Sequence, residues 1–262
     1  MDVTLMLKKQ ELAYWCVVQD RKLYLTHGAL PLLYAKELAF GADMAVKIGE
    51  YDNHPVYWLE APEGADSSGF HTQRELLGLP PALFDLAGRA TQLSHMFHTQ
   101  GFCSACGGTC VLGTKELAMV CQQCGSQHYP RVSPCVIVAV RREHELLLAQ
   151  HPRHKTGMYT VIAGFVEAGE TLEQCVAREV LEETGITVAN IRYVGSQPWA
   201  FPSNVMMGFL ADYQSGQLKP DYTELSDAVW ATKENMPEVA PSGTIARHLI
   251  ELSLELMNNP KV

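Results

Sequence analysis

The sequence predicts an α/β protein in three consecutive parts: a small α/β domain over residues 1–97, a cysteine-rich module over 98–130 and a second α/β domain over 131–262. Three observations carry that expectation. Short strand-like runs alternate with turns and helical stretches on both sides of the chain's middle. Two Cys-x-x-Cys-Gly pairs punctuate the middle itself. A capped and strongly acidic helix follows in the last part.

The bulk numbers set limits on function. A chain of 262 residues suffices for about two domains with a sizeable core. Its 47% hydrophobic and 19% charged residues are ordinary for a globular protein. The net charge of −9, spread over both halves, excludes a bulk nucleic-acid coating and leaves room for a nucleotide site or one end of an RNA. Apolar runs such as Cys135 to Val140 are far too short to span a bilayer. The opening MDVTLMLKKQELAYW has no charged-then-apolar signal layout, so the expected location is the cytoplasm. There, eight cysteines point to metal or core positions instead of disulfides.

In the first part, Tyr14 to Val18 and Leu23 to Leu25 flank Gln19-Asp20-Arg21-Lys22 as a hairpin, and Ala45 to Ile48 and Pro55 to Leu59 flank Tyr51-Asp52-Asn53 as another. Residues 61–69 read as a surface loop. Pro80-Pro81 opens a helix to about His98, with Leu83, Leu86, Ala87, Ala90 and Leu93 at helical spacing.

In the middle part, Cys103-Ser-Ala-Cys106-Gly and Cys121-Gln-Gln-Cys124-Gly repeat one pattern across fourteen intervening residues. That spacing suits a tetrahedral zinc ion held by four thiolates at about 2.3 Å. Four thiolates complete the coordination, so the expected zinc is structural, one per chain. The glycine after each pair permits the positive φ of a tight knuckle. Cys110 has no partner in the pattern and reads as an ordinary thiol. Lys115 and Glu116 lie between the knuckles, where they can meet a ligand or a partner subunit.

In the last part, Cys135 to Val140, Glu145 to Ala149, Tyr159 to Ile162, Ile191 to Val194, Val205 to Leu210 and Ala228 to Trp230 read as strands, and Gly243 to Met257 as a closing helix. Between the third and fourth of these strands, Thr171-Leu-Glu-Gln174 forms a capping box and Gly185 a C-terminal stop, so a helix runs from about Leu172 to Thr184. Leu172, Val176 and Val180 mark its buried stripe, bordered by Cys175. Glu179, Glu182 and Glu183 crowd its C-terminal end, where the helix dipole disfavours anions and carboxylates one turn apart repel. The bland reading is a solvated charged helix with a weak Arg178–Glu182 pair. A divalent cation that bridges to phosphate resolves the conflict better, because magnesium and manganese prefer carboxylate, water and phosphate oxygens.

Gly164, five residues, Glu170, seven residues, and then Arg178-Glu179-Val180-Leu181-Glu182-Glu183-Thr184-Gly185-Ile186 resembles a complete Nudix box. The resemblance implies a Nudix fold, a mixed sheet between helices, and Mg2+- or Mn2+-dependent hydrolysis of a nucleoside diphosphate linked to another group. It implies that Glu179, Glu182 and Glu183 are the catalytic metal ligands, joined by the carbonyl of Ala163 and by the distal Glu224. It also implies that Glu170 pairs with Arg178 to support the loop.

Downstream, Ser196-Gln197-Pro198-Trp199-Ala200-Phe201-Pro202-Ser203-Asn204 resembles the motif that follows the box in the NADH diphosphatases of that family, whose bacterial members are also known as NAD-capped RNA hydrolases. Those enzymes share the four-cysteine ribbon and a separate N-terminal domain, so the resemblance spans the chain. Ala200 stands where the motif has proline, and Asn204 where it has serine. The prolines predict a rigid exposed loop. The resemblance implies that Phe165 and Trp199 sandwich a nicotinamide, with Gln197 nearby and Pro198, Ala200, Phe201, Pro202, Ser203 and Asn204 around it. It implies ligand positions at Arg74, Glu116 and Ala246, and a Tyr129 that reaches a neighbouring site across a homodimer. The implied reaction cleaves NADH to NMNH and AMP, and NAD-capped RNA to NMN and a 5′-monophosphate end. Two other readings remain open at this point: a Nudix hydrolase for another dinucleotide such as ADP-ribose, and a non-catalytic nucleotide or RNA sensor.

Overall fold

A computed structural model describes residues 11–152, 157–200 and 202–258. The chain divides into two compact units, Met1–Val132 with Trp199–Ser203, and Ser133–Pro198 with Asn204–Val262.

The first unit is built on a sheet that has six strands among the described residues. Its central strand Leu12–Gln19 lies parallel to His54–Glu60 and antiparallel to Lys22–Tyr24 and Leu32–Tyr34. Both expected hairpins form. Their turns place Asp20 and Arg21, and Asp52 and Asn53, at positive φ, the twist that two-residue hairpin turns demand. The two short strands Leu32–Tyr34 and Phe70–His71 were not expected; each is too short to show a period. Helix Pro81–Thr99 presses Leu83, Phe84, Ala87, Ala90, Leu93 and Met96 into the same core as Cys16, Val18 and Trp58 of the sheet. The cysteine-rich module adds a three-stranded antiparallel sheet: Cys110–Leu112, Met119–Cys121 and Gln127–His128.

The second unit has seven strands in a mixed sheet among its described residues. Strand Ser133–Arg142 is central, parallel to Asn204–Gly216 and antiparallel to Glu145–Gln150 and Ile162–Phe165. Its continuous apolar run follows from burial on both faces. Val136, Val138 and Val140 pack with Val176 and Val180 of helix Leu172–Thr184. Ile137 and Ala139 pack with Leu249 and Ile250 of helix Ile245–Asn258. Each fully buried valine contributes about 1.5–3 kcal/mol, which anchors the acidic helix to one face of the sheet. The result is the expected mixed sheet between helices.

Two expectations need correction. Tyr159 to Ile162 is not one strand. Tyr159–Thr160 pairs with Glu145–Gln150, while Ile162–Phe165 pairs with Ser133–Arg142. The chain changes partner at Val161, and because its residues stay buried on both sides, periodicity does not register the switch. The motif from Ser196 is not an exposed loop either. Ser196 to Trp199 end a strand, Ile186–Trp199, at the margin of the sheet, where a proline such as Pro198 is tolerated. Ala200 and Ser203, in the turn after it, are buried.

Candidate functional site

The ribbon comes first in the chain. After each cysteine pair the chain turns back through a glycine, Gly107 and Gly125, both at φ +75°. The two knuckles repeat one hydrogen-bond scheme: Gly107 N–H donates to the Cys103 carbonyl and Gly125 N–H to the Cys121 carbonyl. All four sulfurs of Cys103, Cys106, Cys121 and Cys124 fall within 4.8 Å of one another. Cys103 and Cys124 are 3.7 Å apart and Cys106 and Cys121 3.5 Å. Tetrahedral zinc–thiolate bonds place sulfurs about 3.8 Å apart, so the donor set fits a zinc ion in chemistry and in spacing. Backbone N–H groups of Gln123 and Cys124 point at Cys121 Sγ from 3.4 and 3.5 Å, which favours the thiolate. His128 Nε2 lies 3.3 Å from Cys103 Sγ, a contact that sequence reading missed. Cys110 pairs with Cys121 across the strands but lies outside the sulfur cluster.

Glu116 and Tyr129, both expected ligand positions, are hydrogen-bonded to each other on the ribbon surface, and the Tyr129 hydroxyl oxygen lies 2.9 Å from the side-chain amide of Gln127. The carboxylate beside it raises the Tyr129 pKa. Arg74 lies on the short turn Gln73–Leu76. Trp199 is half-buried against Phe84, ring centroids 6.2 Å apart. Pro202 is half-buried, and Phe201 lies outside the described residues.

In the second unit the acidic helix has the bounds its caps dictate. Thr171 Oγ1 accepts from Gln174 N at 3.2 Å, Gln174 Oε1 accepts from Thr171 N at 2.8 Å, and Gly185 closes the helix at φ +70°. Arg178 is the hub of the acidic cluster. Its Nε and Nη2 grip the two oxygens of Glu170 at 2.8 and 2.9 Å. Its Nη2 donates to the Phe165 carbonyl at 3.0 Å, and its Nη1 reaches Glu179 at 2.8 Å and Glu182 at 3.1 Å. The arginine thus ties the helix to strand Ile162–Phe165 and to the loop before the helix. It holds the Glu170 carboxyl well below its usual range, at about 2.

Glu179 is set against Gly164 so closely that a Cβ there would overlap its carboxylate. Burial pushes the Glu179 pKa up; Arg178 pulls it down, and the negative charges of Glu182 and Glu224 add to the rise. Glu183 is buried, with 4% of its surface exposed, whereas the Glu182 side chain is 61% exposed. Glu224 lies on a loop pinned to this helix: Asp221 N–H donates to the Glu183 carbonyl at 2.8 Å and Lys219 N–H to the Thr184 carbonyl at 2.9 Å. A half-buried carboxylate whose pKa is raised first by burial and then by two neighbouring acids, in a cradle that only glycine leaves open, fits a hard divalent cation with oxygen ligands. Ala163, the candidate carbonyl ligand, pairs with Ile137 one residue before that cradle.

Of the remaining candidates on this unit, Phe165 is exposed. Gln197 spends both ends of its amide on its own chain: Nε2 donates to the Gly243 carbonyl and Oε1 accepts from Ile245 N–H, each at 2.8 Å. It clasps the start of the closing helix, a role no local signal announces. Pro198 is exposed, Asn204 half-buried, and the Ala246 methyl is packed in the core.

Residues 98–129 match the NADH pyrophosphatase zinc ribbon domain, and residues 130–252 match the NUDIX domain. The chain is 69% identical to the NAD-capped RNA hydrolase NudC of Photobacterium profundum, over 100% of this chain and 98% of that one. It is 59% identical to the protein of the same name from Vibrio vulnificus, over 94% and 95%. Among solved structures, a NUDIX hydrolase from Nitrosomonas europaea superposes with a TM-score of 0.52 at 27% identity, covering 60% of this chain and 92% of that one.

Proposed function

The chain belongs to the NAD-capped RNA hydrolases of the Nudix family, and from that premise we propose which of its residues carry the reaction. The reaction is metal-dependent hydrolysis of a diphosphate linkage. NAD(H) gives NMN(H) and AMP, and NAD-capped RNA gives NMN and a 5′-monophosphate RNA. The observation that carries the assignment is the placement of Glu179: wedged against Gly164, held by Arg178, and within the field of Glu182 and Glu224.

In this reading Glu179, Glu182, Glu183 and Glu224, with the Ala163 carbonyl, hold Mg2+ or Mn2+. When bound, these ions supply Lewis acidity, neutralising diphosphate oxygens and acidifying a water for in-line attack. The protein's own contribution is positional. Arg178 and Glu170 lock the helix to strand Ile162–Phe165, so the carboxylates meet substrate on a rigid frame. Phe165 offers an exposed aromatic face one residue from the cradle, suited to a nicotinamide ring. By the motif they match, Pro198, Trp199, Ala200, Phe201, Pro202, Ser203 and Asn204 are assigned to the nicotinamide, and Ala246 to a ligand position; Gln197 braces the closing helix at Ile245 N–H. Tyr129, hydrogen-bonded to Glu116, reaches a neighbouring site across a homodimer, and Glu116 and Arg74 are assigned to ligand positions. The zinc of Cys103, Cys106, Cys121 and Cys124 stabilises the ribbon without touching the chemistry. Among the described residues no helix is long and apolar enough to cross a membrane, and the nature of the substrates argues for the cytoplasm.

A substrate panel tests the reading: NADH, NAD-capped RNA and ADP-ribose, each with Mg2+ and with Mn2+. The expected result is turnover of the first two with release of NMN(H). A preference for ADP-ribose would move the enzyme to another Nudix class, and binding without turnover under either metal would make it a sensor.

A further inference from the structure

We infer that the loop from Lys219 to Glu224 is a docking edge for the RNA body, with Tyr222 stacking on a base beside the cap and Lys219 pairing with a backbone phosphate. The inference rests on the reaction assigned above and adds the residues that read the part of the substrate absent from free NAD(H).

The loop is fixed to the catalytic helix. Lys219 N–H and Asp221 N–H bond to the carbonyls of Thr184 and Glu183, and Glu224 and Leu225 N–H both return to the Asp221 carbonyl, at 3.0 and 2.8 Å. Asp221 Oδ1 accepts from Thr223 N–H at 2.9 Å and from Thr223 Oγ1 at 2.8 Å, so that acid is engaged inside the turn and its pKa is lowered. Leu225 is buried and anchors the far end. On this hydrogen-bonded turn Tyr222 is 71% exposed, its ring open to solvent. It stands two residues from Glu224, whose charge reaches Glu179. Lys219 is exposed and makes no salt bridge among the described residues.

Direction along the unit supports the assignment. Phe165 sits at the level of Cys135 and Met206, near the start of strand Asn204–Gly216. The Lys219 loop follows the opposite end of that strand, where Gly216 abuts Gly185 at the close of the acidic helix. The strand end that bears exposed Phe165 and the loop that bears exposed Tyr222 therefore lie toward opposite ends of strand Asn204–Gly216. A substrate with a flat ring on one side of its diphosphate and a nucleotide chain on the other matches that order. A cation with an aromatic platform is also the minimal equipment for holding single-stranded nucleic acid without sequence preference. It gives a chain of net charge −9 a local point of purchase on a polyanion.

Steady-state kinetics on NADH and on a short NAD-capped RNA, run in the same buffer, decide the matter. Tyr222→Ala lowers kcat/KM on capped RNA by about tenfold through KM and leaves NADH within about twofold, and Tyr222→Phe restores it. Lys219→Gln weakens capped RNA only and flattens the salt dependence of its kcat/KM by about 0.7 in log–log slope, one phosphate's worth. Equal losses on both substrates, or no loss on capped RNA, overturn the inference. Failure of the wild type to cleave either substrate would instead overturn the functional assignment beneath it.

Discussion

In the ribbon, four sulfurs converge within 4.8 Å of one another, whereas among the described residues the glutamates of the acidic helix form no group as tight. The difference follows from charge. Thiols are neutral near pH 7 until a metal or a hydrogen bond favours the thiolate, so folding brings four together at little cost. Carboxylates are already ionised, and close approach is opposed until a cation intervenes. One centre is therefore complete as a scaffold before any substrate arrives. The other is held half-open by Arg178, whose single positive charge is divided among Glu170, Glu179 and Glu182, and its final geometry is left to metal and diphosphate.

A crossed pair of variants tests that division with the largest effects. Glu183→Gln keeps the shape of a buried side chain but removes the charge of a proposed metal ligand. It is expected to cut kcat by about a thousandfold, the scale of several kcal/mol of lost charge stabilisation, while retaining one zinc per chain. Cys103→Ser is expected to do the reverse in kind: zinc is lost and the ribbon unfolds at lower temperature, because structural zinc contributes on the order of 10 kcal/mol to folding. Elemental analysis and turnover, measured on both variants, read the result. Full turnover in Glu183→Gln breaks the carboxylate half of the comparison; full zinc in Cys103→Ser breaks the thiolate half.

Gly164→Ala sharpens the same contrast at intermediate size. The added methyl would occupy the place of the Glu179 carboxylate, so either the glutamate or the strand must move. Crowding of this kind costs about 1–3 kcal/mol of stability. Its larger consequence falls on kcat, expected to drop at least tenfold with zinc content unchanged. A variant with wild-type kcat would mean that Glu179 works from another position.

Much of this was legible in the sequence because the signals are local. The caps Thr171, Gln174 and Gly185 carry their hydrogen bonds within four residues, and the structure gives the helix as Leu172–Thr184. The four cysteines are tied to the ribbon by spacing alone. What escaped is contact over long separations. Gln197 meets Gly243 and Ile245 from 46 and 48 residues away, and His128 meets Cys103 across 25. The partner switch at Val161 escaped for a related reason: a residue buried on both faces looks alike beside either neighbour. The burial of Ala200 and Ser203 was hidden by the prolines around them, which are as compatible with the turn after a marginal strand as with an exposed loop.

The smallest expected effect concerns the clamp itself. Glu170 is held at about 2, below an ordinary value of 4.5, first by the Arg178 hydrogen bonds and then by the Glu167 N–H. A depressed folded-state pKa contributes stability that is fully present above pH 4.5 and is lost as pH falls toward 2. Wild-type stability should therefore fall across that window. Glu170→Gln, which cannot ionise, should start lower at pH 7 and fall less steeply. Both proteins lose zinc as acid protonates the thiolates, so the ribbon cancels in the difference between their curves. Denaturant titrations at pH 7, 4.5 and 3 supply that difference. Parallel curves would show that Arg178 gains nothing from Glu170, and the half-open carboxylate centre would then need another support.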